Sequence, residues 1–278
     1  MRISAALLSL GLALGNAAQA APMRIVSLNP CLDTTLVAVA DRTQIAALSH
    51  YARDPYGSNI AEIAATLPIT YETAEEVIAL GPDLVLASRH SAPATRNALR
   101  RLGIEVSLYD VPNAISQSIA QVRQMAKAVG HEDRGEAVIA DIEVALAAAK
   151  APDGAPPIPA LILQPNGFTI GAGTLSSEMM KHTGFVNTAE RYGIGSAGNI
   201  QLERLIADPP QVLFAGVPWP NAPGWAERVL HHPAVSTLTE HIQRTELPER
   251  LMYCGGPVLI GLAKTFAAAR GEFKGAGQ

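Results

Sequence analysis

The chain has 278 residues, 48% of them hydrophobic and 17% charged, which is enough for two domains or lobes of ordinary size. A net charge of -4 excludes the basic footprint of a nucleic-acid-binding protein. Trp219 and Trp225 are the only tryptophans in a chain that is only 5% aromatic, so the loop carrying both is a place to look for ligand contacts.

Chain order begins with a leader. In "MRISAALLSLGLALGNAAQAAP", Arg2 supplies a positive start, residues 3–15 are nearly all apolar, and "AQA" at 18–20 is a small-x-small cleavage site. Residues 1–20 are therefore expected to be a signal peptide cut after Ala20. The apolar run is shorter than the roughly 20 residues that span a bilayer, which argues against a membrane anchor. Pro30 stands just before Cys31, the wrong neighbour for a lipidated cysteine. The mature chain is expected to be soluble and exported.

Residues 23–30 predict a short buried strand, 34–40 a helix, and 45–50 a strand followed by the loop "YARDPYG". Thr73 and Glu76 have capping-box spacing, so a helix should start near Thr73 and stop at Gly81-Pro82. "DLVLAS" (83–88) is almost entirely apolar and predicts a strand buried on both faces. A helix over 94–103 and a strand over 104–110 close a first lobe, taken as 23–113. This strand–helix alternation predicts a parallel sheet with covering helices. Such sheets bind ligands beyond the carboxyl ends of their strands.

From Ile115 to Lys150, apolar residues recur at three- and four-residue steps. The expectation is one long helix over 114–150 connecting two lobes, with Gly130 and Gly135 leaving room for a break. "APDGAPPIP" (151–159) stops it. The alternation then resumes in a second lobe, 158–278. It has a strand over 160–164, the loop "PNGFTIGAGT", a helix over 175–184, a helix over 202–208 and a strand over 211–216. The loop "VPWPNAPGW" carries both tryptophans ahead of a helix that breaks near Pro233. Either "IQRTEL" or "RLMYC" supplies a last strand, and "VLIGLAKTFAAAR" a closing helix.

One phrase occurs twice. "AEEVIALGPDLVLA" (74–87) is echoed by "LERLIADPPQVLFA" (202–215), with Glu75 on Glu203, Val77 on Leu205, Ile78 on Ile206, Pro82 on Pro210 and Ala87 on Ala215. Generic helix–Pro–strand patterning accounts for the apolar matches. It does not account for the shared glutamate.

The layout resembles the periplasmic binding proteins of ABC importers for cobalamin and ferric siderophores. The resemblance rests on "RIVSLNP", on "EEVIALGPDLVLA" and on "GFTIGAGTLSSEMMKHTGFVN" (167–187), in that order along nearly the whole mature chain. It implies an α/β fold of two Rossmann-like lobes with parallel sheets, joined by a backbone helix, with the ligand in the cleft between them. It implies a non-enzymatic receptor in the periplasm. The cargo would be a corrinoid, haem or ferric siderophore, a chelate of cobalt or iron, and the protein would carry no cofactor of its own and act as a monomer. In that family one exposed glutamate on each lobe docks into arginines of the membrane subunits, and Glu75 and Glu203 occupy the matching positions. A first-turn carboxylate suits a guanidinium and the helix dipole. One departure is plain: cobalamin binders carry a tryptophan shortly before the second glutamate, where this chain has only Tyr192.

Ligand contacts are expected from the cleft loops. Tyr51, Phe168, Trp219 and Tyr253 offer aromatic faces. Arg53 and Arg89 offer partners for anionic groups, although Arg53 can instead pair with Asp54. Cys31 and Cys254 fall in cleft loops of opposite lobes. Three readings of them stay open: thiolates contacting the ligand's metal, a lobe-to-lobe disulfide, or two unpaired thiols. Competing functions are a two-lobed metallocluster or sensor protein, a hydrolase using Cys31 with His50 or His90 as base, and a nucleotide binder using "GAGT" (171–174), which lacks the Lys-Ser/Thr ending of a phosphate loop.

Overall fold

The computed structural model describes residues 24–217 and 242–274 of the chain. Two parallel sheets stand on either side of a central helical layer. The first contains β1 (Ile25–Ser27), β2 (Ile45–Ser49), β3 (Ile69–Thr70), β4 (Leu84–Ser88) and β5 (Glu105–Tyr109), in the order β3-β2-β1-β4-β5. All its pairings are parallel. Every residue of β4 is buried, as its unbroken apolar run requires.

The second sheet contains β6 (Ile158–Leu163), β8 (Phe185–Asn187), β10 (Val212–Ala215) and β11 (Gln243–Glu246), ordered β11-β10-β6-β8 and again parallel. The last strand is thus the "IQRTEL" segment, whereas "RLMYC" holds a 3-10 turn at Glu249–Leu251. A small antiparallel pair, β7 (Phe168–Ile170) with β9 (Ala197–Asn199), stands beside it. β3, β8 and this pair have two or three residues per strand, too few for a period to be read from the sequence.

The helices in chain order are α1 (Pro30–Val39), α2 (Ala61–Ala64), α3 (Ala74–Ala79), α4 (Pro93–Arg101), α5 (Ile115–Val129), α6 (Glu132–Ala149), α7 (Leu175–His182) and α8 (Leu202–Ala207). A closing helix spans Val258–Glu272. The expected single connecting helix is two helices, α5 and α6. Gly130 takes a left-handed conformation at φ +81° and ends α5. α6 then folds back against α5. Gly135 permits the close approach, since a Cβ there would lie 2.3 Å from the Ala126 side chain.

This layer makes one core for both lobes. Ile25 and Leu86 of the first sheet, Val122 of α5, Ile142 of α6, Ile162 and Phe214 of the second sheet and Phe266 of the closing helix belong to one buried cluster. Each sheet covers its other face with its own helices. Val77 and Leu99 pack there on the first sheet, and Leu205 on the second. The two repeated phrases therefore form equivalent units on the outer faces of opposite sheets: α3 leading into β4, and α8 leading into β10. Val77 and Leu205 are both fully buried, so the apolar half of the repeat is explained by packing.

Candidate functional site: a cleft at the strand ends

The carboxyl ends of β2 and β3 hold an aromatic group. His50 and Tyr51 begin the turn after β2, and Tyr71 follows β3. The His50 ring lies 3.8 Å from that of Tyr51 and stacks on Tyr71 at 4.9 Å, centroid to centroid. Tyr51 is 51% exposed and Tyr71 64%. Sequence reading found Tyr51 but missed Tyr71, because the two-residue β3 leaves no pattern.

Beneath this group lie two buried or half-buried carboxyl groups. Glu72 holds a left-handed backbone, φ +69°, the one non-glycine residue to do so among the described residues. Its carboxylate faces His50 Nδ1 at 3.7 Å, and burial raises its pKa. Asp33 of α1 is fully buried and accepts the Ser49 hydroxyl at 2.5 Å and the Ser49 N–H at 3.3 Å. Burial pushes its pKa up to about 7 against the lowering pull of Ser27 and Ser49.

Two of the expected cationic contacts are engaged elsewhere. Arg53 donates from Nε to the Ala64 carbonyl at 3.1 Å and from Nη2 to the Leu67 carbonyl at 2.6 Å. It thereby satisfies the carboxyl end of α2. The alternative partner, Asp54, instead accepts the Tyr56 N–H. Arg89, beyond β4, forms an ion pair with Asp110, beyond β5, and both side chains are well exposed.

Cys31 and Cys254 are joined in a disulfide, with Cα atoms 5.0 Å apart across 223 positions of sequence. This replaces the readings of thiolate ligands and of unpaired thiols. It also removes the nucleophile from the hydrolase reading, since a disulfide sulfur is no thiolate. The bridge is one of several ties that the segment after β11 makes with the first lobe and α5. Asn59 Nδ2 donates to the Arg250 carbonyl at 2.6 Å, and the Gly256 N–H donates to Ser118 Oγ at 2.6 Å. Within its own lobe the segment is held by Ser176 Oγ, which donates to the Met252 carbonyl at 2.8 Å. Tyr253, beside the bridge, is 48% exposed, and burial together with nearby Glu249 pushes its phenol up to about 12. It is a neutral hydroxyl and an aromatic face at any physiological pH.

On the second lobe, Phe168 is half-buried at the foot of the β7–β9 pair and packs against the shared core. Trp219 lies outside the described residues. Tyr192 is in the second lobe's core, its hydroxyl donating to the Asp208 carbonyl at 2.5 Å. The glycine loop 171–174 packs closely on residues 194–195, since a Cβ on Gly171 would lie 1.7 Å from the Gly195 carbonyl.

The two repeated glutamates differ from their neighbours. In α3 the Thr73 hydroxyl accepts the Glu76 N–H, one half of the expected capping box. Glu76 completes no reciprocal bond to Thr73. Its carboxylate accepts the Thr70 hydroxyl at 2.9 Å and the Tyr71 N–H at 2.7 Å. Glu75 is exposed and has no hydrogen bond or ion pair with another described residue. In α8, Arg204 donates to the Tyr192 carbonyl at 3.1 Å, while Glu203 is exposed and likewise unpaired among the described residues. Ile78 and Ile206, one turn further on, are exposed by 38% and 41%.

The sequence profile described as "periplasmic binding protein" matches residues 25–243. A cobalamin-binding protein of Halobacterium salinarum is 25% identical over 201 residues, 70% of this chain and 54% of the relative. The chain thus spans about half the length of the curated relatives it matches. Among solved structures, the haem-binding protein RhuT of Roseiflexus sp. RS-1 superposes with a TM-score of 0.68 at 24% identity, covering 88% of this chain and 98% of that one. The haem-binding protein HutB of Vibrio cholerae gives 0.73 at 18%, again covering 88% and 98%. The vitamin B12-binding protein BtuF of the same organism gives 0.65 at 17%, covering 89% and 96%. At these identities the structural likeness establishes the two-lobed fold.

Proposed function

The chain belongs to the periplasmic binding protein family, and on that premise we propose that it captures a metal chelate between its lobes and delivers it to an ABC importer. One observation carries the choice of cargo. Tyr51 and Tyr71 at the strand ends of the first lobe and Tyr253 beside the bridge to the second are aromatic side chains about half exposed or more. Flat rigid rings gain most from such side chains. A corrinoid, a haem or an aromatic ferric siderophore satisfies this, and each brings its own cobalt or iron. Relatives named for cobalamin and for haem support the same class. Among the described residues there is no group of three His, Cys, Asp or Glu side chains placed to hold a bare ion.

Export follows from the leader expected at 1–20, with the mature protein acting in the periplasm as a monomer. Glu75 and Glu203 are the proposed docking contacts. Each is an exposed first-turn carboxylate with no described partner, and the two sit on equivalent helices of opposite lobes, which suits a transporter built from two like membrane subunits. Guanidinium groups on those subunits are the matching chemistry.

The ligand class is tested by tryptophan-fluorescence quenching with cobalamin, cobinamide, haemin and ferric siderophores. At least one should bind with a Kd in the micromolar range or below, about −8 kcal/mol. Binding no tighter than millimolar across the set would refute the chelate-receptor reading.

A further inference from the structure

The first sheet's strand ends differ in chemistry from one side to the other. The aromatic group sits over β2 and β3, while the ends of β4 and β5 open into a cavity of about 750 Å³ against α5. At about 4.8 Å per strand, the five-stranded floor is about 19 Å wide. One large ligand can therefore reach both sides. A small recess that shares Asp110 and Gln121 with this cavity also contacts Cys31, Tyr253 and Gly255, so the cavity lies beside the lobe-to-lobe bridge.

Its wall is a ladder of carboxamides. Gln117, Gln121 and Gln124 are spaced four and three residues apart on one face of α5, and all three line the cavity. Gln117 Oε1 is occupied by the Asn113 N–H at 2.8 Å, which leaves its amide donors for a ligand. Gln121 donates to the Asp110 carbonyl, which leaves its oxygen as an acceptor. Gln124 has both donor and acceptor to offer. The cavity's arginine, Arg89, is already balanced by Asp110. A carboxylate entering here would have to compete with Asp110 for that guanidinium, His90 being the other lining side chain able to donate to it. A neutral carboxamide would meet complementary donors and acceptors at no electrostatic cost.

Building on the chelate-receptor reading, we propose that this cavity takes the neutral carboxamide arms of the ligand, so that the cargo is an amide-fringed corrinoid rather than a carboxylate-fringed porphyrin. The specificity-determining residues are Gln117 and Gln124 as hydrogen-bonding partners, with Asp110 as the group that rejects anionic arms.

The test compares dicyanocobinamide, whose ring arms are amides, with dicyanocobyrinic acid, whose arms are carboxylates, and with haemin. Binding is read by quenching and by the shift of the ligand's visible bands. The amide probe should bind at least about tenfold tighter than either carboxylate probe, the factor expected from one or two hydrogen bonds gained or lost. Gln117→Leu with Gln124→Leu should weaken the amide probe by about tenfold and leave haemin unchanged. Both positions are exposed on a helix surface, so the fold should tolerate the change. Asp110→Asn should narrow the preference by improving the carboxylate probes. A wild-type preference for haemin or cobyrinic acid would overturn the cavity's assignment while leaving the receptor reading standing. An amide preference that persists unaltered in the double variant would overturn it too. No binding of any probe would overturn both.

Discussion

Asp33 illustrates how a single buried residue sets a property of the whole chain. Its carboxyl is enclosed by α1, β1 and β2, and burial raises its pKa from the model-compound value of 3.8 to about 7. In the folded state it holds a proton that the unfolded chain releases. The folded form thus binds more protons between about pH 4 and 7, and its stability must fall as pH rises through that window. The swing at full effect is about 4 kcal/mol, at about 1.4 kcal/mol per pH unit. Asp33→Asn keeps the shape, so melting temperature measured from pH 4 to 8 should lose most of its downward slope in the variant. An unchanged slope would assign the effect to another group. Two other residues show the limit of reading single positions. Arg53 and Arg89 both read as candidate ligand contacts in the sequence, Arg53 with Asp54 as an alternative partner, yet one ends α2 and the other pairs with Asp110.

At the scale of elements, α3 and α8 are the same device used twice. Each buries one large apolar side chain, Val77 or Leu205, on the outer face of its sheet. Each leaves an exposed glutamate without a described partner at its amino end, Glu75 or Glu203, with an isoleucine one turn along. Packing constrains the buried residue, but nothing within the described fold constrains Glu75 or Glu203. Replacing both by alanine should leave the free energy of unfolding within about 0.5 kcal/mol of wild type, as surface changes do. Ligand affinity should also be unchanged, while importer-dependent uptake is lost. Loss of ligand affinity in the purified double variant would count against docking. The neighbouring Glu76 predicts a contrast, because it ties α3 to the turn carrying Tyr71.

The whole molecule is held as one body through its central layer. α5 and α6 fold back on each other, the closing helix packs on α6, and the core cluster runs from the first sheet to the second. The Cys31–Cys254 bridge adds a covalent tie across the lobes. Closing so long a loop restricts the unfolded chain strongly, and loss of such a bridge typically costs about 2–5 kcal/mol. The oxidised protein should expose no titratable thiol, and two after denaturation with reductant. Cys31→Ser with Cys254→Ser should melt several degrees lower. A free thiol in the oxidised, denatured protein would contradict the bridge.

Local pattern was enough to establish much of this. The alternation of apolar runs and glycine or proline stops marked both parallel sheets, the buried β4 and the repeated helix–strand unit, because these depend on neighbours in sequence. The glutamates stood out for the same reason: a repeat exposes whatever packing does not require. Contacts between distant segments were beyond it. Whether Cys31 met Cys254, whether 114–150 was one helix or a folded pair, and which cations remained free all depend on chain segments brought together only by the shared core. The aromatic group of His50, Tyr51 and Tyr71 belongs to this second kind. Its members come from the ends of two adjacent strands, and strand adjacency is decided by how the sheet assembles.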